Sequence, residues 1–127
     1  MDKITKVSVS GVPEPAGNIY SNCLKVGNQL ILSGMIASDT SGDTYQQSVD
    51  CFKKIQAILE GAGGRMEDVV KLTIYLTDMD NRPAFGKART EYFTRRMPCS
   101  TLIAITALAA PDALVEIEAT AFLGAGT

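Results

Sequence analysis

The stretch Met97-Pro-Cys-Ser-Thr-Leu-Ile-Ala-Ile-Thr-Ala-Leu-Ala-Ala-Pro-Asp-Ala-Leu-Val-Glu-Ile-Glu-Ala-Thr-Ala-Phe122 decides how the rest of the chain is read. Its apolar residues recur at period two, which predicts two strands joined by a turn at Ala110-Pro111-Asp112. In the second strand Val115, Ile117, Ala119 and Ala121 share one face, and Leu114, Glu116, Glu118 and Thr120 share the other. Two carboxylates on an otherwise apolar strand stand out, because burying a charge is costly unless it is paired. The first strand, Ser100 to Ala107, is apolar on both faces, with Leu102 and Ala104 on one and Ile103 and Ile105 on the other. Such a strand calls for cover on both sides.

Upstream, Val69 to Thr77 alternates Val70, Leu72, Ile74 and Leu76 with Lys71, Thr73 and Tyr75, and is the clearest strand. Asp78–Asn81 is a turn, and Pro83 fits the first turn of a helix with apolar residues Phe85, Ala88, Tyr92 and Phe93. Arg89, Arg95 and Arg96 fall on its solvated side, and Pro98 marks its end. Thr44 with Gln47 three residues on reads as a capping box. It opens a helix with Val49, Phe52, Ile55 and Leu59 inward, and Lys53, Lys54, Gln56 and Glu60 largely on the other side. Gly61, Gly63 and Gly64 stop it. Cys23–Val26 and Gln29–Ile36 flank a Gly27-Asn28 break, a hairpin signal. Gly34 inside the second arm reads as a bulge or as a close approach, for instance by a ligand, with the bulge the plainer account. Ser10–Ser21 is a loop, Lys3–Val9 a short strand, and Gly124–Thr127 a frayed tail.

These elements predict an α+β fold on residues 1–127 as a single domain: a mixed sheet of about six strands, about half of its pairing antiparallel, with two helices. Two helices cover one face of such a sheet. The doubly apolar strand at Ser100–Ala107 therefore predicts a second subunit on the other face, hence a homo-oligomer, with Glu116 and Glu118 toward a cleft between protomers.

Net charge is −2, which gives no electrostatic footprint for nucleic acid or an anionic membrane. There is no apolar run near membrane-spanning length and no signal-peptide core at the N-terminus, so a cytoplasmic protein is expected. Histidine is absent, which excludes a Ser-His-Asp or Cys-His nucleophile and His-ligated metal within one chain. The three cysteines, Cys23, Cys51 and Cys99, form no Cys-x-x-Cys, so neither a disulfide framework nor a zinc site is expected, and no cofactor is called for.

The segments Tyr20, Lys25-Val26-Gly27-Asn28, Ile31–Ile36, Ala62-Gly63, Asp68–Met79, Pro98 and Ala113–Ala119 together resemble the RidA/YjgF family of reactive-intermediate (enamine/imine) deaminases, over nearly the whole chain. The resemblance implies a chorismate-mutase-like fold, a homotrimer with pockets at the subunit interfaces, and a small-molecule substrate. It implies a pocket made of Tyr20, the Ser33-Gly34 backbone and Glu116, with an arginine two residues after a proline. Here that segment is Pro98-Cys99-Ser100-Thr101, so Ser100 stands where the family's carboxylate-gripping arginine would be. Exchanging a bidentate charged anchor for one neutral hydroxyl costs about 1–2 kcal/mol. That points away from the usual amino-acid-derived imines.

Hydrolysis of a C=N bond needs one group that takes and returns a proton beside an ordered water. Glu116, desolvated in a cleft, suits that role; the competing account is that Glu116 and Glu118 pair with Arg or Lys across the subunit interface as structural ion pairs. Tyr20 either closes the pocket or packs within its loop. Ser100 is placed at the pocket as a substrate contact, without a nucleophilic role because nothing nearby activates it. Cys99 reads as an ordinary small residue. Arg95 and Arg96 read as a solvated helix end, or as replacements for the missing anchor. The expected activity is hydrolytic deamination of a small imine or enamine; the alternative is a non-catalytic ligand-binding trimer of the same fold. A ribonuclease role is disfavoured by the charge and the missing histidine.

Overall fold

Alternating apolar residues on the sheet and one apolar stripe on each helix close on each other and generate the core. The structure, a computed structural model, describes residues 2–126. In chain order the elements are β1 (Ile4–Lys6), β2 (Cys23–Val26), β3 (Gln29–Leu32), α1 (Thr44–Gly61), β4 (Val69–Leu76), α2 (Arg82–Tyr92), β5 (Cys99–Ala104) and β6 (Val115–Phe122). The strands form one six-stranded sheet in the order β1-β2-β3-β6-β4-β5. Only β4 and β5 run parallel, so the pairing is more antiparallel than expected. The two strands of Met97–Phe122 are not partners. β4 lies between them, antiparallel to β6 with Ile74 opposite Ile117, and parallel to β5 with Ile74 opposite Leu102.

Both helices lie on one face of the sheet. Leu30, Leu32, Leu72, Ile74, Leu76, Val115, Ile117 and Ala121 are buried there against Phe52, Ile55, Ile58, Leu59, Phe85 and Ala88. Phe52 centres an aromatic cluster, stacked on Tyr92 at 5.2 Å and edge-on to Phe93 at 5.7 Å. The helix cap differs from the expectation by one residue. Asp43 is the N-cap, accepting from the Gln46 N–H, while the Gln46 side chain accepts from the Asp43 N–H. That releases Gln47, which is buried and bridges to the chain before β6. It accepts from the Leu114 N–H at 2.9 Å and donates to the Gly42, Thr40 and Asp112 carbonyls. α2 ends at Tyr92, six residues before Pro98, because Phe93 turns extended to join the cluster on Phe52.

The Gly27-Asn28 hairpin is present, with Gly27 at φ +60°, as mirror-image hairpin turns require. The second arm stops at Leu32 and resumes at Met35, which exchanges two backbone hydrogen bonds with Ile117. From Ile31 opposite Thr120 to Met35 opposite Ile117, one strand advances four residues and the other three. One residue is thus inserted around Ser33-Gly34, which is the bulge read from the sequence. The tail, however, is not frayed as far as it is described. The Gly126 N–H donates to the buried Asp68 carboxylate at 2.9 Å; Thr127 lies outside the described residues.

The other sheet face carries Glu116, Glu118 and Thr120 of β6 beside Tyr75, Thr73 and Lys71 of β4. Ile31, Phe122 and Ile103 stand on it with 40–46% exposure. β5 ends at Ala104, short of Ala107, and is an exposed edge strand in the single chain, where Leu102, and Ile105 just beyond the strand, are half-buried. Among the described residues no helix is long and apolar enough to cross a membrane.

Candidate active site

The bulge on the β3 side delivers a groove of about 460 Å³ at the end of the open sheet face. Gly34 forms its floor against Glu116. A Cβ on Gly34 would meet the Glu116 Cδ at 2.6 Å and Oε1 at 2.9 Å, so only glycine admits the carboxyl there. Tyr20, Ser33, Val12 and Pro13 form one wall. Ala109, from the loop before β6, and Lys54, from α1, complete it.

Backbone bonds hold the wall. Ser33 receives the chain before β2 twice: its N–H donates to the Asn22 carbonyl at 2.8 Å and its hydroxyl to the Ser21 carbonyl at 2.6 Å. The buried Asn22 donates its side-chain amide to the Val12 and Pro13 carbonyls, fixing the loop that carries Tyr20. With its hydrogen committed to Ser21, the Ser33 hydroxyl offers the groove an acceptor. The Gly34 N–H has no hydrogen-bond partner among the described residues and is the backbone donor available beside Glu116.

The electrostatics single out Glu116. Burial, and secondarily the Glu118 charge on the same strand face, push its carboxyl above the ordinary glutamate range. Glu118 is itself tied down, accepting the Tyr75 phenol hydrogen at 2.8 Å across the β4–β6 pair. That bond is the main reason the Tyr75 phenol is raised above its usual pKa. Neither carboxylate forms an ion pair within 4 Å among the described residues. Beneath the groove the Cys51 thiol, pushed up to about 12 mainly by burial, stays protonated and contacts the Met35 carbonyl at 3.1 Å. Lys54 fixes its ammonium on the Ile36 carbonyl at 2.6 Å. Among the described residues no cluster of three His, Cys, Asp or Glu side chains is arranged to hold a metal.

The fold thus brings Tyr20, Ser33, Gly34 and Glu116 together. Within one chain it does not bring Ser100 to them. Ser100 pairs with Leu72, on the helix side of the sheet, and its hydroxyl accepts from the Arg89 guanidinium at 3.1 Å. Arg89, expected to be solvated, lies over the Phe85 ring with its charge toward Ser100. Arg95 and Arg96 line a separate hollow of about 270 Å³, where Arg96 donates to the Glu67 carbonyl, and neither enters the Glu116 groove. The residue missed from sequence is Lys54. Helical periodicity put it on the solvated side, but it is half-buried, and a lysine stem reaches past its own face. Asn22, the loop's buried tie, carried no pattern signal.

The match of the Endoribonuclease L-PSP family spans residues 12–123. A RutC family protein of Pyrococcus horikoshii is 34% identical over 122 residues, covering 91% of this chain and 95% of that protein. A 2-iminobutanoate/2-iminopropanoate deaminase of Dermatophagoides farinae is 30% identical over 118 residues, covering 88% and 91%. A crystal structure of a protein of unknown function from Pseudomonas aeruginosa superposes with a TM-score of 0.93 at 32% identity, over 98% of this chain and 95% of that one. Sequence and architecture agree over almost the full length, and on that ground the chain belongs to the Endoribonuclease L-PSP family, the YjgF/RidA group.

Proposed function

We propose that the groove hydrolyses the C=N bond of a small imine, or of an enamine after its tautomerisation, with Glu116 as the proton-transfer group. The observation that carries this is a carboxyl of raised proton affinity seated on Gly34 beside a free backbone N–H. A protonated Glu116 gives its proton to the imine nitrogen. The resulting carboxylate takes a proton from water as the water oxygen bonds to the carbon. That proton then passes to the amine nitrogen, the C–N bond breaks as Glu116 takes the hydroxyl proton, and a carbonyl compound and ammonia leave with Glu116 protonated as at the start. The relative named as an imine deaminase supports the reading.

The family name raises a ribonuclease alternative. A chain of net charge −2 without a histidine offers neither a basic surface to gather a phosphodiester nor an imidazole to cleave it. We also place a second copy of the chain on the open sheet face, closing the groove; Ile31, Ile103 and Phe122, exposed on that face, support it. With serine at position 100, any acid group of the substrate is held by something other than the family arginine.

The test is ammonia release from enzymatically generated imines, comparing wild type with Glu116→Gln. Release that is lost in the variant supports the hydrolase. Equal inertness of both proteins on every imine overturns it and leaves the groove as a binding site. Light scattering at micromolar concentration tests the second copy, and a monomeric mass would remove it.

A further inference from the structure

The hydrolytic step leaves one charged residue of the groove without a task. Lys54 reaches the groove from α1, whereas Glu116 comes from β6. Its ammonium is positioned by one hydrogen bond, to the Ile36 carbonyl at 2.6 Å. An ammonium has three donors, so two stay available. Lys54 forms no ion pair within 4 Å among the described residues. Nor does it serve Glu116: a cation paired with that carboxyl would lower its proton affinity, and the affinity is raised, by burial and by Glu118. Lys54 and Glu116 line the same groove, and no ion pair within 4 Å joins them. A groove of about 460 Å³ that holds one cation and one carboxyl apart is matched to a small molecule with an anionic end and a basic, C=N end.

We propose that Lys54 is the substrate anchor of this groove, holding the carboxylate of a small imino acid while its C=N end lies at Glu116 and the Gly34 N–H. The proposal rests on the hydrolase reading for the chemistry, but the anchor itself is a statement about carboxylate binding. It also answers the serine at position 100: the cation is supplied by α1 rather than by β5. The bland alternative is that Lys54 merely ties α1 to the chain after Gly34 through the Ile36 carbonyl. Lys54→Gln separates the two, since it keeps a donor for that carbonyl and removes the charge.

The experiment measures kcat and KM for 2-iminobutanoate, made in situ by an amino-acid oxidase, and for propan-1-imine, its counterpart without the carboxylate, made by an amine oxidase from propylamine. In Lys54→Gln the ratio of kcat/KM for the acidic over the neutral imine falls ten- to a hundred-fold, mostly through KM, and Lys54→Arg recovers most of it. A ratio within about twofold of wild type, or an arginine variant as impaired as the glutamine one, overturns the anchor. If wild type hydrolyses neither imine, the hydrolase reading fails and the anchor is decided by binding. NMR titration with 2-oxobutanoate and with butanone then shows at least a tenfold weaker hold on the acid alone in Lys54→Gln. Equal binding of the acid by both proteins, or none by wild type, overturns it.

Discussion

A Cβ added to Gly34 would stand 2.6 Å from the Cδ of Glu116, so the two residues share one space. The backbone at Gly34 has no unusual φ that would demand glycine; the demand comes wholly from the carboxyl packed on it. Gly34→Ala is therefore expected to cost about 1–3 kcal/mol of stability, as overpacking does. It should also lower deaminase activity tenfold or more by displacing Glu116. A double-mutant cycle checks the cause. In a Glu116→Ala background the stability cost of Gly34→Ala should shrink by more than half, and an undiminished cost would show that the clash is elsewhere.

Glu116 illustrates a site kept at the expense of stability. Its folded-state proton affinity lies above the unfolded value, so the folded chain binds more protons across that interval. Stability therefore falls as pH rises through the folded pKa, and the loss is absent below the unfolded value of about 4.3. Glu116→Gln lacks this term. The variant should lose about 10²–10⁴ in kcat yet melt higher than wild type near pH 7.5, with the difference closing as the pH approaches about 4. Thermal melts across that range measure it; a variant that melts lower at neutral pH would contradict the burial argument.

Glu118 sets part of that affinity. Burial is the larger cause and the Glu118 charge the smaller, so Glu118→Gln should bring the Glu116 pKa partway down. The protonated Glu116 is the form that gives its proton to the imine nitrogen, which gives kcat/KM a basic limb at its pKa. That limb should move to lower pH in Glu118→Gln while the maximal rate changes by less than about tenfold. A limb that stays put would assign the titration to another group.

Much of this was legible in the residues and some was not, for identifiable reasons. Alternation in Lys71–Leu76 and Val115–Ala121 gave the strands and the faces correctly, because the core needs apolar side chains at every second position. At the start of β4 a register shift between Val69 and Lys71 reverses the expected faces, so that Val69 is buried and Val70 only half-buried. Alternation could not show that β4 lies between β5 and β6, since pairing order leaves no mark on the alternation of a single strand. Glu116 was visible as a carboxylate on an apolar strand. The role of Gly34 was visible only as an anomaly, because glycine records that something approaches and not what. Lys54 was hidden by its own length: the helical pattern follows Cα positions, and its ammonium ends at the Ile36 carbonyl far from its own turn. Gln47 was misread because Asp43 and Gln46 satisfy the same cap spacing one residue earlier, and a pattern cannot choose between them.

Gln47 offers a last test, of how the groove's far wall is held. Its side chain accepts from the Leu114 N–H and donates to the Asp112 carbonyl, so α1 grips the loop that leads into β6 and carries Ala109. Gln47→Ala strands those part-buried backbone groups and empties the buried site of the Gln47 side chain, at a cost of about 2–4 kcal/mol, or on the order of 10 °C in Tm. Loss of the tie should reach the groove as well. Amide exchange across residues 105–114 should quicken, while exchange in β2 and β3, which Gln47 does not touch, stays at the wild-type rate. KM should rise severalfold with kcat changed less, since the wall loosens and Glu116 stays on Gly34. Exchange that quickens uniformly over the sheet would mean that Gln47 supports the fold as a whole and not this wall.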